Sequence, residues 1–183
     1  HPLFVRELAS LPELGTGGLL PTVVTGAVER RLDTLPAASR AVLEVGSVLG
    51  NRLLPDVLGY VTGQPTPDVI GLLQTAVDAG LVDRSPDGEF WFVHDLFRET
   101  LYGGLDIANR VQLHHRIGEA LEARMVRGAS VRSGDIARHF TEGITEGPPE
   151  RAIHWALRAA ADPHPAKLSR TLTGKGRRVP PGH

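Results

Sequence analysis

Histidine and carboxylate side chains are the groups in this sequence whose types and spacing could carry chemistry, and the pair His94-Asp95 is the most pointed of them. It follows the strand-like run "FWFV" directly and precedes "LFRETLY", which has helical spacing. A histidine at such a junction can do chemistry or hold a ligand, and an aspartate opening a helix can cap it. A plainer reading makes His94 a strand-end residue bonded to backbone and Asp95 an ordinary N-cap. Capping by Asp95 is common to both readings. With no cysteine in the chain, thiolate nucleophiles, disulfides and cysteine-based zinc sites are excluded, leaving only histidine and carboxylates as metal ligands.

The other candidates weigh less. His114, His115 and Glu119 cluster, with His115 and Glu119 on one helical face, but no third convergent ligand is evident, so they read as a solvated helix face and no metal site is expected. His139 and His154 each precede an aromatic residue and read as amphipathic packing residues. "EVGSVLG" lacks the glycine spacing of a nucleophile elbow. Neither "GTGG" at 15–18 nor "TGKG" at 173–176 makes a phosphate loop: the first lacks lysine, and the second follows no strand and continues with glycine. No catalytic residue is expected, and the segment is not read as an enzyme.

These residues need elements to hold them. "TVVTGAVERRLDTLP" repeats apolar residues at Val24, Val28 and Leu32, and Pro36 suits the first position of a helix running to Leu49 and stopping at Gly50-Asn51. "PDVLGYVTG" is a short helix. In "TPDVIGLLQTAVDAGLV" Thr66 can cap, Pro67 can open the first turn and Gly80 can close the helix in a left-handed conformation. "DRSPDGEFWFV" reads as a hairpin around Pro86-Asp87-Gly88. Three helices followed by a hairpin is the order of a winged helix. Beyond it, Ile107, Val111, His114, Gly118, Leu121 and Met125 mark a long helix with one packed face. "SGDIARHF" and "PPERAIHWALRAAAD" add two more, the last with a stripe of Ala152, Ile153, Ala156, Leu157 and Ala160. The expected fold is therefore mainly α: a winged-helix domain with one small β-hairpin over 21–104, then an antiparallel helical segment resembling tetratricopeptide pairs over 105–161. Residues 1–20 read as a helix remnant and linker. The basic, proline-rich stretch 162–183 reads as a disordered tail.

Charge narrows the partners. Residues 1–162 carry 15 Lys and Arg against all 21 Asp and Glu, a net of −6, because five cations lie beyond Asp162. Helix 67–79, which would enter a major groove, holds no Lys or Arg but does hold Asp68 and Asp78, so only Gln74 and Thr75 could read bases. Direct DNA binding is not expected. No apolar run is long enough for a membrane span and no signal peptide is evident, which makes the cytoplasm the expected location. The chain begins without methionine, its only Met being Met125, and it reads as part of something longer.

The order "HPLFVREL", "VERRLDTLPAASRAVLEVGSVLG", "FVHDLFRETLYGGL", "RVQLHHRIGEALEAR", "IARHF" and "ERAIHWALRAA" resembles the region that follows the nucleotide-binding core in bacterial STAND-type signal-transduction ATPases, including large LuxR-type transcriptional regulators. The resemblance covers residues 1 to about 161. It implies that Pro2, in "HPLF", packs on an adenine from the lid. "VHDL" at 93–96 is similar to the Met-His-Asp motif of the wider class, with Val93 in place of methionine, which implies that His94 approaches the β-phosphate of ADP. Both contacts need a core outside this chain, which has no Walker A motif; the cofactor would be ATP or ADP in the parent protein and none in this segment. The implied partners are that core and proteins docking on the helical segment. A winged-helix DNA-binding protein that acts alone and a helical protein-interaction scaffold are the alternatives.

Overall fold

The computed structural model describes residues 22–162. Pro2, the expected lid remnant and linker, and the expected tail beyond Asp162 lie outside the described residues. Eight α-helices occur among them: α1 (Thr22–Leu32), α2 (Ala37–Leu49), α3 (Pro55–Thr62), α4 (Thr66–Asp78), α5 (Asp95–Gly104), α6 (Ile107–Val126), α7 (Ser133–Glu142) and α8 (Pro149–Ala161). A single 3-10 turn, Ile144–Glu146, lies before α8. Three short strands, β1 (Arg52–Leu53), β2 (Val82–Arg84) and β3 (Phe90–Phe92), form an antiparallel sheet in the order β1-β3-β2. No helix among the described residues is long and apolar enough to cross a membrane.

From α2 to β3 the run helix, strand, two helices and hairpin, with the first strand on the outer edge of the third, is a winged helix. The mainly helical class with a small hairpin is as the sequence predicts, and β1 is an addition to it. Two residues are too few to display a period, yet Arg52 pairs with Trp91 and Leu53 with Phe90, and Leu53 is buried. The hairpin aligns Val82 with Phe92 and Arg84 with Phe90. Its turn closes through the Gly88 N–H donating to Ser85 O at 2.9 Å, with Gly88 at φ 85°.

Helix ends follow the chemistry of their residues with one shift of register. Pro65, not Thr66, occupies the N-cap of α4, and Thr66 is its first helical residue. Pro36 likewise sits just outside α2. In both places proline fixes φ in an extended segment and the helix begins at the residue after it, one position earlier than expected for α4 and one later for α2. Gly80 takes φ 69° after α4, as expected. The guanidinium of Arg31 in α1 donates to Ala79 O from Nε at 3.3 Å and Nη2 at 3.2 Å, placing a cation on the carbonyl end of α4.

The buried residues form one continuous cluster. Val42, Leu43, Val57, Leu58, Val69, Leu73, Phe90, Phe92 and Phe97 fill the winged helix, and Ile117, Leu121, Ile136, Phe140 and Trp155 continue it through α6 to α8. Each such side chain contributes about 1.5–3 kcal/mol by leaving water. α6 packs on α2 and α3, α7 on α6, and α8 on α7. Arg151 clamps the last layer: it donates to Glu119 at 3.0 Å and to Glu122 on α6, and lies 4.4 Å above the Phe140 ring.

Two predicted apolar faces hold only in part. Ile107 is 73% exposed at the start of α6, while the expected His114, Gly118 and Leu121 are buried and are joined by Ile117 and Ala120. On α8, Ala152 and Trp155 are buried while Ile153 and Leu157 are exposed, Leu157 by 68%. The large indole sets the orientation, because its Nε1 must also reach Glu122, to which it donates at 3.2 Å.

Glycine marks where the layers approach most closely. A Cβ at Gly143 would lie 2.5 Å from the backbone nitrogen of His115, whereas one at Gly71, in the exposed interior of α4, would meet nothing. Gly143→Ala is expected to destabilise the chain by about 1–3 kcal/mol, and Gly71→Ala to stabilise it by about 0.5–1 kcal/mol. Urea titration of the two variants checks both signs.

Candidate functional site

The strand β3 delivers His94 to the start of α5 with φ −146° and ψ 136°, and this extended conformation makes His94 the N-cap of that helix. Its Nδ1 accepts the Leu96 N–H at 3.3 Å. Capping by Asp95 is therefore corrected. Asp95 is already helical, so its carboxylate does not cap; it is exposed and lies 4.0 Å from Arg98, placed favourably in the first turn. A neutral ring that accepts at Nδ1 carries its proton on Nε2. His94 is exposed and its Nε2 has no partner among the described residues, so it presents an outward N–H donor beside the half-exposed Val93.

A denser constellation lies at the other end of α5. His114 on α6 and His139 on α7 are 3% and 0% exposed, and their Nδ1 atoms are 3.0 Å apart. His114 Nε2 lies 3.2 Å from the Tyr102 hydroxyl, and His139 Nε2 lies 2.8 Å from Arg138 Nη2. Arg138 Nη2 also donates to Leu49 O, the last residue of α2, at 3.0 Å. Arginine can only donate, and this fixes the direction of the whole chain. His139 accepts at Nε2 and donates from Nδ1; His114 accepts at Nδ1 and donates from Nε2 to Tyr102. Both imidazoles are neutral in this arrangement. Burial pushes them down, with Arg138 adding to the effect on both. Arg110 contributes further at His114, which falls to about 4. At His139 the neighbouring His114 contributes, partly offset by Leu49 O, and the value falls to about 2.

His114 therefore does not belong to a solvated face with His115 and Glu119. It turns into the α6–α7 interface, while half-buried His115 lies edge-on to Phe140 and 3.6 Å from Glu119. Glu119 is also taken by Arg151. No group of three or more potential metal ligands converges among the described residues. His139 packs as expected, but as a hydrogen-bonding member of the core; His154 is exposed and edge-on to Trp155. A histidine inside the apolar stripe of α6 was the sequence signal for this pair. Its partner is 25 residues away, beyond the reach of helical periodicity.

The groove-facing candidates on α4 are engaged internally. Gln74 donates to Asp78 at 3.1 Å and accepts from Arg84 at 3.3 Å, and the Thr75 hydroxyl donates to Gly71 O at 3.2 Å. A cleft of about 600 Å³ opens between the end of α2 and helices α6 and α7, with Arg138 and His139 in its wall. No family model matches the chain, and no curated protein or solved structure is significantly similar to it.

Because both folded-state histidines bind protons less readily than in the unfolded chain, the unfolded chain takes up more protons below its histidine pKa of about 6.5. Stability is then full above about pH 6.5 and falls as the pH drops toward 4, by up to about 1.4 kcal/mol per pH unit for each proton. His139→Gln should make that slope shallower. Urea midpoints between pH 7 and 4 measure it, and a flat profile contradicts the neutral pair.

Proposed function

We propose that this segment is the regulatory winged-helix and helical module of a nucleotide-switched signalling ATPase of the STAND type, as in large LuxR-type transcriptional regulators, acting in the cytoplasm and without catalysis of its own. The observation that carries this reading is the outward Nε2 donor of His94, held in place by the Leu96 N–H bond at the positive end of α5. A core outside this chain holds ADP so that the β-phosphate meets this donor, and Pro2 packs on the adenine. Exchange for ATP removes the contact and shifts the population toward an undocked winged helix.

Helix α5 makes the reading mechanical. It has His94 at its start and Tyr102 in its last turn, and Tyr102 reaches His114 in the first helix of the array. Displacement of the N-terminal end of α5 is thus felt at the α6–α7 interface. Protein partners dock on the array, where Ile153 and Leu157 are exposed. The acidic, cation-free α4 speaks against the alternative of direct DNA reading.

In the protein that joins this segment to its nucleotide-binding core, His94→Ala is expected to weaken ADP about tenfold or more, the worth of one charge-assisted hydrogen bond. ATP affinity should change much less. Calorimetric titration with each nucleotide checks it, and unchanged ADP affinity contradicts the role of His94.

A further inference from the structure

We propose that the cleft between the end of α2 and helices α6 and α7 binds a small oxyanion ligand of the phosphate class, with Arg138 as its anchor. Four arginines, Arg52, Arg124, Arg132 and Arg138, line this space of about 600 Å³, and Asp135 is the single acid in its wall. That concentration of cations stands out in a body whose residues 1–162 carry a net charge of −6.

Three of the four arginines already have carboxylate partners: Arg52 with Glu89, Arg124 with Asp56, and Arg132 with Asp135 at 3.1 Å. Arg138 has none among the described residues. Its Nη2 alone serves the protein, reaching Leu49 O and His139 Nε2. The Nε and Nη1 N–H groups take no partner among the described residues and are left to donate singly to oxyanion oxygens, each as a charge-assisted hydrogen bond. Asn51 and Ser130 add uncharged donors to the wall.

The volume exceeds inorganic phosphate and falls in the range of small-molecule sites, so a phosphorylated metabolite of modest size suits it. Its walls belong to the winged helix on one side and to α6 and α7 on the other. A ligand seated there bridges the two parts and stabilises their packed arrangement. This site does not involve His94 and stands or falls apart from the proposed nucleotide switch.

The test is calorimetric titration of the full chain with inorganic pyrophosphate at constant ionic strength. The expected result is saturable one-to-one binding. Arg138→Gln should weaken it tenfold or more, and Arg132→Gln, at the exposed mouth, a few-fold. Arg116→Gln removes the same charge outside the cleft and should leave affinity unchanged. Should Arg138→Gln unfold through loss of its bond to Leu49, Arg138→Lys keeps the charge without the Nε and Nη1 donors and should weaken binding several-fold. Absence of saturable binding overturns the proposal. So does equal weakening by Arg116→Gln and the cleft variants, or unchanged affinity in both Arg138→Lys and Arg132→Gln.

Discussion

The contact between the Nδ1 atoms of His114 and His139 is the interaction on which the arrangement of the molecule depends. Two imidazoles at 3.0 Å in a site closed to water can hold only one proton between them. Everything around them conforms to that requirement. Arg138 commits one ring to the tautomer that donates from Nδ1, the Tyr102 hydroxyl takes the far proton of the other ring, and Leu49 O takes the second N–H of Arg138 Nη2. A hydrogen-bonded line therefore passes from α5 through α6 and α7 to the carbonyl end of α2. It joins the winged helix to the helical segment by polar groups that tolerate only one geometry.

Apolar packing alone would leave that junction less defined. The α6–α7 interface is built from Ile117, Leu121, Ile136 and Phe140, side chains that accept small sliding at little cost. Buried hydrogen bonds do not accept it, because a donor left unsatisfied costs about 1–3 kcal/mol. The Gly118 contact with Phe140 and the Gly143 contact with His115 set the spacing, and the histidine pair sets the register. The proposed relay of a nucleotide contact from one end of α5 to helices beyond its other end would need a junction of this kind, stiff enough to move as a unit. The same junction is expected to be sensitive to acid, since a proton added to either ring turns an acceptor into a second donor facing Arg138 or the other imidazole.

Much of the fold was legible because its elements are punctuated by proline and glycine and carry local periods. The hairpin around Pro86-Asp87-Gly88 and the helix closed by Gly80 are examples. What was illegible depends on contacts distant in sequence. β1 exists because Leu53 finds Phe90, and α8 is rotated because Trp155 must satisfy its indole N–H on Glu122. At the candidate site, His94 was visible as a residue at a strand-to-helix junction, yet capping by its own ring, in place of Asp95, depends on an extended backbone angle that sequence does not display. The histidine pair shows the limit most clearly. His114 stood in an apolar stripe and also beside His115, and only the fold decides which neighbour matters.

The most direct measurement of the central claim is nitrogen-resolved NMR of the histidine rings at neutral pH. Long-range proton–nitrogen spectra distinguish Nδ1–H from Nε2–H tautomers and from imidazolium. The account predicts His139 as the less common Nδ1–H form, His114 as Nε2–H, and a protected proton shared across their Nδ1 atoms. Finding His139 as Nε2–H, or either ring protonated, would contradict it.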